Sequence, residues 1–148
     1  MTKGERAKAL FLDGYNCAQA VFGAFCEELG FDFDTAMRLS SGFGGGMGRL
    51  REVCGAVSGM FMVLDMKFGY TSPTDKEGKK ELYRHIQSLA KEFADDNGSI
   101  ICRELLGLTE KVSVPTPDAR TKEYYKKRPC AELVEFAADL VDNYIKTH

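Results

Sequence analysis

Residues 41–59 read SGFGGGMGRLREVCGAVSG, and the fold turns on how this stretch is read. Six glycines fall between Gly42 and Gly55. Gly44, Gly45 and Gly46 in succession interrupt any helix, because glycine loses the most backbone freedom on ordering and readily takes positive φ. From Val53 onward the side chains are small or apolar: Val53, Ala56, Val57 and Met60, with Gly55, Ser58 and Gly59 adding little bulk. The spacing predicts a tight glycine loop that delivers Cys54 to the start of an apolar helix over residues 54–68. The beginning of that helix is stripped of bulk, so another backbone can approach closely.

The flanking segments carry helical spacing too. Upstream, residues 2–12 place Ala7, Leu10 and Phe11 on one side and stop at Asp13-Gly14. Asn16 predicts a cap for a helix over 17–29, buried through Ala20, Val21, Ala24 and Phe25 and ended by Gly30. Asp34 predicts the cap of a shorter helix reaching Leu39. Downstream, Ser72 or Thr74 opens a helix with a Leu82, Ile86, Leu89, Phe93 stripe that breaks at residues 95–98. Ser99 is read as the cap of a short helix closed by Gly107, and residues 111–125, with Pro115 and Pro117, as an irregular connection. Pro129 opens a last amphipathic helix through Leu133, Val134, Ala137, Leu140, Val141 and Tyr144. No segment alternates at period two. The expected architecture is all-α, one compact domain over residues 1–148 with about six or seven helices and the glycine-rich loop at the cysteine site.

Composition narrows the function. A net charge of -2 lacks the basic excess of a nucleic-acid footprint. No run approaches the roughly 18 apolar residues of a membrane span, and Lys3, Glu5, Arg6 and Lys8 interrupt any leader-like apolar region. A cytoplasmic location without nucleic-acid or membrane partners is expected. Five cysteines, an odd count without a secretory leader, do not describe a secreted disulfide scaffold.

Four of those cysteines share one setting. Cys17 follows the Asn16 cap, Cys54 the glycine loop, Cys102 the Ser99 cap, and Cys130 follows Pro129. Each is read in the first turn of a helix, where unpaired N–H groups and the positive end of the helix dipole favour a thiolate. Arg51, Arg103 and Arg128 lie close in sequence to Cys54, Cys102 and Cys130 respectively, and a nearby cation lowers a thiol pKa further. Cys26, out of phase with Cys17, is read as a packing residue. No close CxxC pair occurs, so any joint site is assembled by the fold. His85, His148 and the methionines Met47, Met60, Met62 and Met66 are read as surface or core residues.

The arrangement resembles the C_GCAxxG_C_C family of redox-active proteins. The resemblance is carried by Tyr15-Asn16-Cys17-Ala18-Gln19, by the glycines from Gly42 to Gly48, by Cys54-Gly55-Ala56-Val57-Ser58-Gly59, by Cys102 within residues 98–107, and by Arg128-Pro129-Cys130. It implies that Cys17, Cys54, Cys102 and Cys130 are the signature positions and that Cys26 is extra.

Three chemistries suit four convergent thiolates. Pairs of cysteines can cycle between dithiol and disulfide, which asks for Cα atoms about 4.4–6.8 Å apart when bridged. Four thiolates can instead ligate an iron–sulfur cluster, or close a tetrahedral zinc site. The candidate catalytic or metal-ligating residues are therefore Cys17, Cys54, Cys102 and Cys130. Gly44, Gly45, Gly46, Gly55 and Arg103 are candidates for holding a cofactor beside them. The leading expectation is a thiol redox protein working with a partner protein, and the alternative is a non-enzymatic metal-binding protein. A homodimer stays open at this point, as do the substrate and the pairing of the cysteines.

Overall fold

The computed structural model describes residues 1–108 and 114–148. It is all-helical as expected. In chain order the helices are α1 (Lys3–Leu12), α2 (Cys17–Ala24), α3 (Phe33–Ser40), a 3-10 turn over Ser41–Phe43, a single turn α4 (Gly44–Met47), α5 (Gly55–Phe68), α6 (Lys76–Asn97), α7 (Cys102–Leu105), α8 (Lys122–Lys127) and α9 (Cys130–Thr147). The only extended pairing among the described residues is an isolated antiparallel bridge between Val53 and Ile101. Among the described residues, no helix is long and apolar enough to cross a membrane.

α5 is the centre of the packing. Gly55, Ala56, Val57, Ser58, Gly59, Met60, Val63 and Leu64 are all buried, so the helix is covered on almost every side until its last turn, where Asp65, Met66 and Lys67 are exposed. α2 lies against its first two turns. A Cβ on Gly59 would sit 2.8 Å from Val21 Cβ and 3.1 Å from the Ala18 carbonyl oxygen, so the two backbones approach only because residue 59 has no side chain. α1 and α9 close the other side through Ala7, Phe11, Val134, Ala137 and Val141, all fully or almost fully buried. The backbone N–H of Gly4 donates to Asp139 Oδ1 at 2.8 Å, which pins the start of α1 onto α9. α6 covers the remaining face with Leu82, Leu89 and Phe93, the stripe read from its period.

Several boundaries move from the sequence expectation, each for a local reason. α2 ends at Ala24 rather than near Leu29, because its ladder tightens to three-residue spacing: Phe25 N donates to Phe22 O at 3.1 Å and Cys26 N to Gly23 O at 3.2 Å. The cap of α3 is Asp32, not Asp34, with Oδ2 accepting from Thr35 N at 3.1 Å. α6 starts after Asp75, whose carboxylate accepts from Gly78 N, while Ser72 and Thr74 shape the turn before it. Ser99 does not cap a helix directly. Its hydroxyl accepts from Ile101 N and donates to Glu104 Oε1, and α7 begins only at Cys102. Of the irregular connection expected over 111–125, residues 111–113 lie outside the described residues. Residues 122–127 form α8, capped by Thr121 Oγ1.

The α2–α5 contact predicts a measurable asymmetry between two glycines. Gly59→Ala inserts a methyl into a closed contact, and overpacking of that kind costs about 1–3 kcal/mol. Gly42→Ala meets open space and should stay within about 0.5 kcal/mol of wild type. Denaturant unfolding of the two variants checks this, and equal stabilities would contradict the close approach of α2 and α5.

Candidate functional site

The glycine loop is a left-handed coil. Gly45, Gly46, Met47, Gly48 and Arg49 all have φ between 60° and 72°, and Arg51 follows at 60°. Residues with a Cβ pay roughly 1–2 kcal/mol each in this region, so Met47, Arg49 and Arg51 are held there against their preference. The hydrogen bonds that hold them run back into the glycines. Arg49 N donates to Gly44 O at 3.3 Å, Arg51 N to Gly45 O at 3.3 Å and Glu52 N to Gly46 O at 2.9 Å. Gly46 meets both glycine requirements at once: its φ is 72°, and a Cβ there would lie 2.6 Å from Cys102 Cβ and 2.8 Å from Arg51 Cα. Gly44 has an ordinary φ of −68° and is needed for space alone, since its Cβ would strike the Asn16 side chain.

The coil leads into the Val53–Ile101 bridge, and the bridge places two cysteines. Cys54 N donates to Ile100 O at 2.8 Å, and Cys102 N donates to Glu52 O. Each cysteine then launches a helix, Cys54 as the cap of α5 and Cys102 as the first residue of α7. Cys17 opens α2 behind the Asn16–Gln19 capping box, and its Cβ lies 3.0 Å from where a Cβ on Gly55 would be. Cys130 opens α9 after Pro129.

The four sulfur-bearing residues line one small cavity of about 60 Å³, together with Gly45, Gly46, Gly55, Arg120 and Tyr124. Gly44 lines a neighbouring cavity instead. Cys26 is buried in the core and is not part of the lining. Arg103 is not part of it either: its Nη1 donates to the Arg51 carbonyl at 3.1 Å and pairs with Glu52 at 3.3 Å, so it braces the backbone behind the site. The cation on Cys102 is Arg51, whose Nη1 lies 3.7 Å from Sγ in a side chain only 4% exposed. Arg51 Nε has no hydrogen-bond partner among the described residues. Sequence proximity had set Arg51 beside Cys54, but the bridge carries it across to Cys102. Arg120 was not a sequence candidate. Its Nη atoms donate to Phe11 O at 2.7 Å and Tyr15 O at 2.8 Å, and its guanidinium lies 4.2 Å over the Phe11 ring.

The expectation that all four helix starts favour thiolates is corrected by burial. Desolvation pushes the Cys54 thiol up to about 12, although the N–H groups of Ala56 and Val57 pull the other way. Burial also raises Cys102, against the opposing pull of Arg51. Cys130 alone is lowered. The Cys17 thiol donates to its sulfur, and Arg128, Arg120 and Arg51 add positive potential that outweighs burial. Cys17 is correspondingly raised well above the ordinary thiol range, first by that bond to Cys130 and then by burial. The site thus sets Cys130, shifted down, apart from Cys17, Cys54 and Cys102, all shifted up. Among the described residues no group of three or more His, Cys, Asp or Glu side chains is arranged to hold a metal ion.

A family model described as Putative redox-active protein (C_GCAxxG_C_C) matches residues 15–144. The chain belongs to this family. Comparison with curated proteins and with solved structures gives no match. The matched span of the C_GCAxxG_C_C family takes in every cysteine of the pocket, the left-handed coil and both sides of the Val53–Ile101 bridge.

Burial of Cys54 sets a pH dependence for this C_GCAxxG_C_C protein. The folded thiol keeps its proton to about pH 12, whereas an unfolded cysteine releases it near 8.5. Between those values the unfolded chain binds fewer protons, so this group's contribution to stability falls as pH rises. Cys54→Ser should therefore be less stable than wild type at pH 7, with the gap narrowing from about pH 8.5 upward. Thermal unfolding across pH checks it, and a constant gap would contradict the raised pKa.

Proposed function

We propose that this protein is a thiol redox protein in which Cys130 is the attacking thiolate and Cys17 the resolving thiol, the two cycling between dithiol and disulfide. The observation that carries the reading is that Cys17 and Cys130, opening α2 and α9, line one small cavity with Arg120; the direction of each shift, Cys130 down through Cys17 and nearby arginines and Cys17 up, supports it. A nucleophilic thiolate hydrogen-bonded to a second thiol is the arrangement that disulfide exchange uses, because attack and resolution then need little movement. Cys54 and Cys102, both buried and both raised, are the reserve thiols of the pocket rather than its nucleophiles. The redox description of the C_GCAxxG_C_C family supports the same class of chemistry.

Ligation of an iron–sulfur cluster or zinc by Cys17, Cys54, Cys102 and Cys130 is the second reading. The shared cavity favours it. The absence of a metal-ready donor group among the described residues gives it less support than the thiol–thiolate pair gives the first.

Competitive alkylation at pH 7, followed by peptide mapping, should modify Cys130 first and Cys54 last. Mild oxidation should then yield a Cys17–Cys130 linked peptide that is lost in Cys130→Ser and kept in Cys26→Ser. Equal alkylation of Cys130 and Cys54, or a disulfide that excludes Cys17, would overturn the assignment. Stoichiometric zinc, or broad visible absorbance after anaerobic purification, would move the conclusion to the second reading.

A further inference from the structure

The thiol pocket shares a wall with a larger cavity. Asn16, Gly45, Arg120 and Tyr124 line both, and the outer cavity measures about 370 Å³. That volume lies in the range of small-molecule sites, roughly 300–1,000 Å³. Among the described residues, Arg49, Arg120 and Arg128 line the outer cavity with one carboxylate, Asp118. Asp118 is shared, with Oδ2 3.3 Å from Arg49 Nη1 and 2.8 Å from Arg128 Nη2. Arg120 bonds to neutral carbonyls, and no carboxylate pairs with it among the described residues. Among the described residues of this lining, Arg120 and Arg128 outnumber Asp118 even with Arg49 left aside, although the chain as a whole carries -2. A guanidinium fork suits a carboxylate, and Asp118 already shows the arginines holding one. Tyr124, Pro115 and Pro117 offer apolar surface for the rest of a small molecule.

Resting on the dithiol reading above, we infer that the outer cavity binds a low-molecular-weight disulfide bearing carboxylates, with Arg120 and Arg128 holding the carboxylates and the sulfur–sulfur bond presented at the shared wall to Cys130. The Cys130 thiolate forms a bond to one substrate sulfur. The substrate S–S bond breaks, and the second half leaves as a thiolate that takes a proton from solvent. Cys17 then gives its proton to solvent and attacks the Cys130 sulfur, breaking the mixed disulfide and releasing the first half as a thiolate that takes a proton from solvent. Two protein thiols are oxidised to the Cys17–Cys130 disulfide, and the small disulfide is reduced to two thiols.

Three disulfides of similar size test this on the full chain: dithiodipropionate, an anion; hydroxyethyl disulfide, which is neutral; and cystamine, a cation. The rate of Cys130 oxidation is followed by intact mass. At low salt the anion should react on the order of a hundredfold faster than the cation, with the ratio shrinking as salt is added. In Arg120→Gln and in Arg128→Gln the anion-to-cation ratio should fall about tenfold, and taking the ratio cancels any general change in thiolate reactivity. Arg120 also ties Phe11 to Tyr15, so Arg128→Gln, in a surface ion pair, keeps the test open if the first variant does not fold. A wild-type ratio near one, or a ratio unchanged in Arg128→Gln, would overturn the inference while leaving the thiol chemistry standing. A folded protein whose Cys130 reacts with none of the three would overturn both.

Discussion

Two backbone hydrogen bonds around Val53 and Ile101 organise the site. They tie the end of the left-handed coil to the segment that follows α6, parts of the chain about 50 residues apart, and leave a cysteine just beyond each partner. Everything else at the site is arranged around that pairing. Gly46 must lack a side chain because Cys102 comes to lie against it, and Arg51 is driven into the interior because its backbone enters the bridge region at positive φ. The strain in Met47, Arg49 and Arg51 is offset by these bonds and by burial of the apolar α5 behind them. The bridge is small, but without it Cys54 and Cys102 would belong to separate parts of the molecule.

Within the pocket, desolvation and local charge compete, and the winner differs from one sulfur to the next. A helix start gives a thiolate about half a unit of positive charge, an effect worth around 1 kcal/mol near the surface. Removing a thiolate from water costs more, which is why Cys54 is raised despite capping the start of α5. Cys130 escapes because it has what Cys54 lacks: a neighbouring thiol donating to it and arginine charge close by. The asymmetry between Cys130 and Cys17 arises from the pair itself, since the bond that lowers one raises the other.

Much of this was legible in the sequence, and the rest was hidden for identifiable reasons. α5 declared itself through its apolar run and α6 through the Leu82, Leu89, Phe93 stripe, because periodicity reports which faces are buried. Three of the four pocket cysteines open helices and the fourth caps one, close to where the caps placed them. The left-handed coil was not legible beyond its glycines, since nothing in Met47, Arg49 or Arg51 signals positive φ. Arg51 was set beside Cys54 rather than Cys102 because neighbourhood in sequence cannot see across a bridge. Arg120 lies in a segment without periodic signal, and its contacts to Phe11 and Tyr15 are wholly tertiary. The direction of each thiol's shift was hidden for the same reason, because burial belongs to the folded chain and not to any residue type.

The size of the inner cavity has a chemical consequence of its own. About 60 Å³ holds a few water-sized molecules beside the four sulfurs. With so little solvent beside them, Cys54 and Cys102 keep their protons, and because the thiolate is the form that exchanges or is oxidised, they are the quiet sulfurs of the chamber.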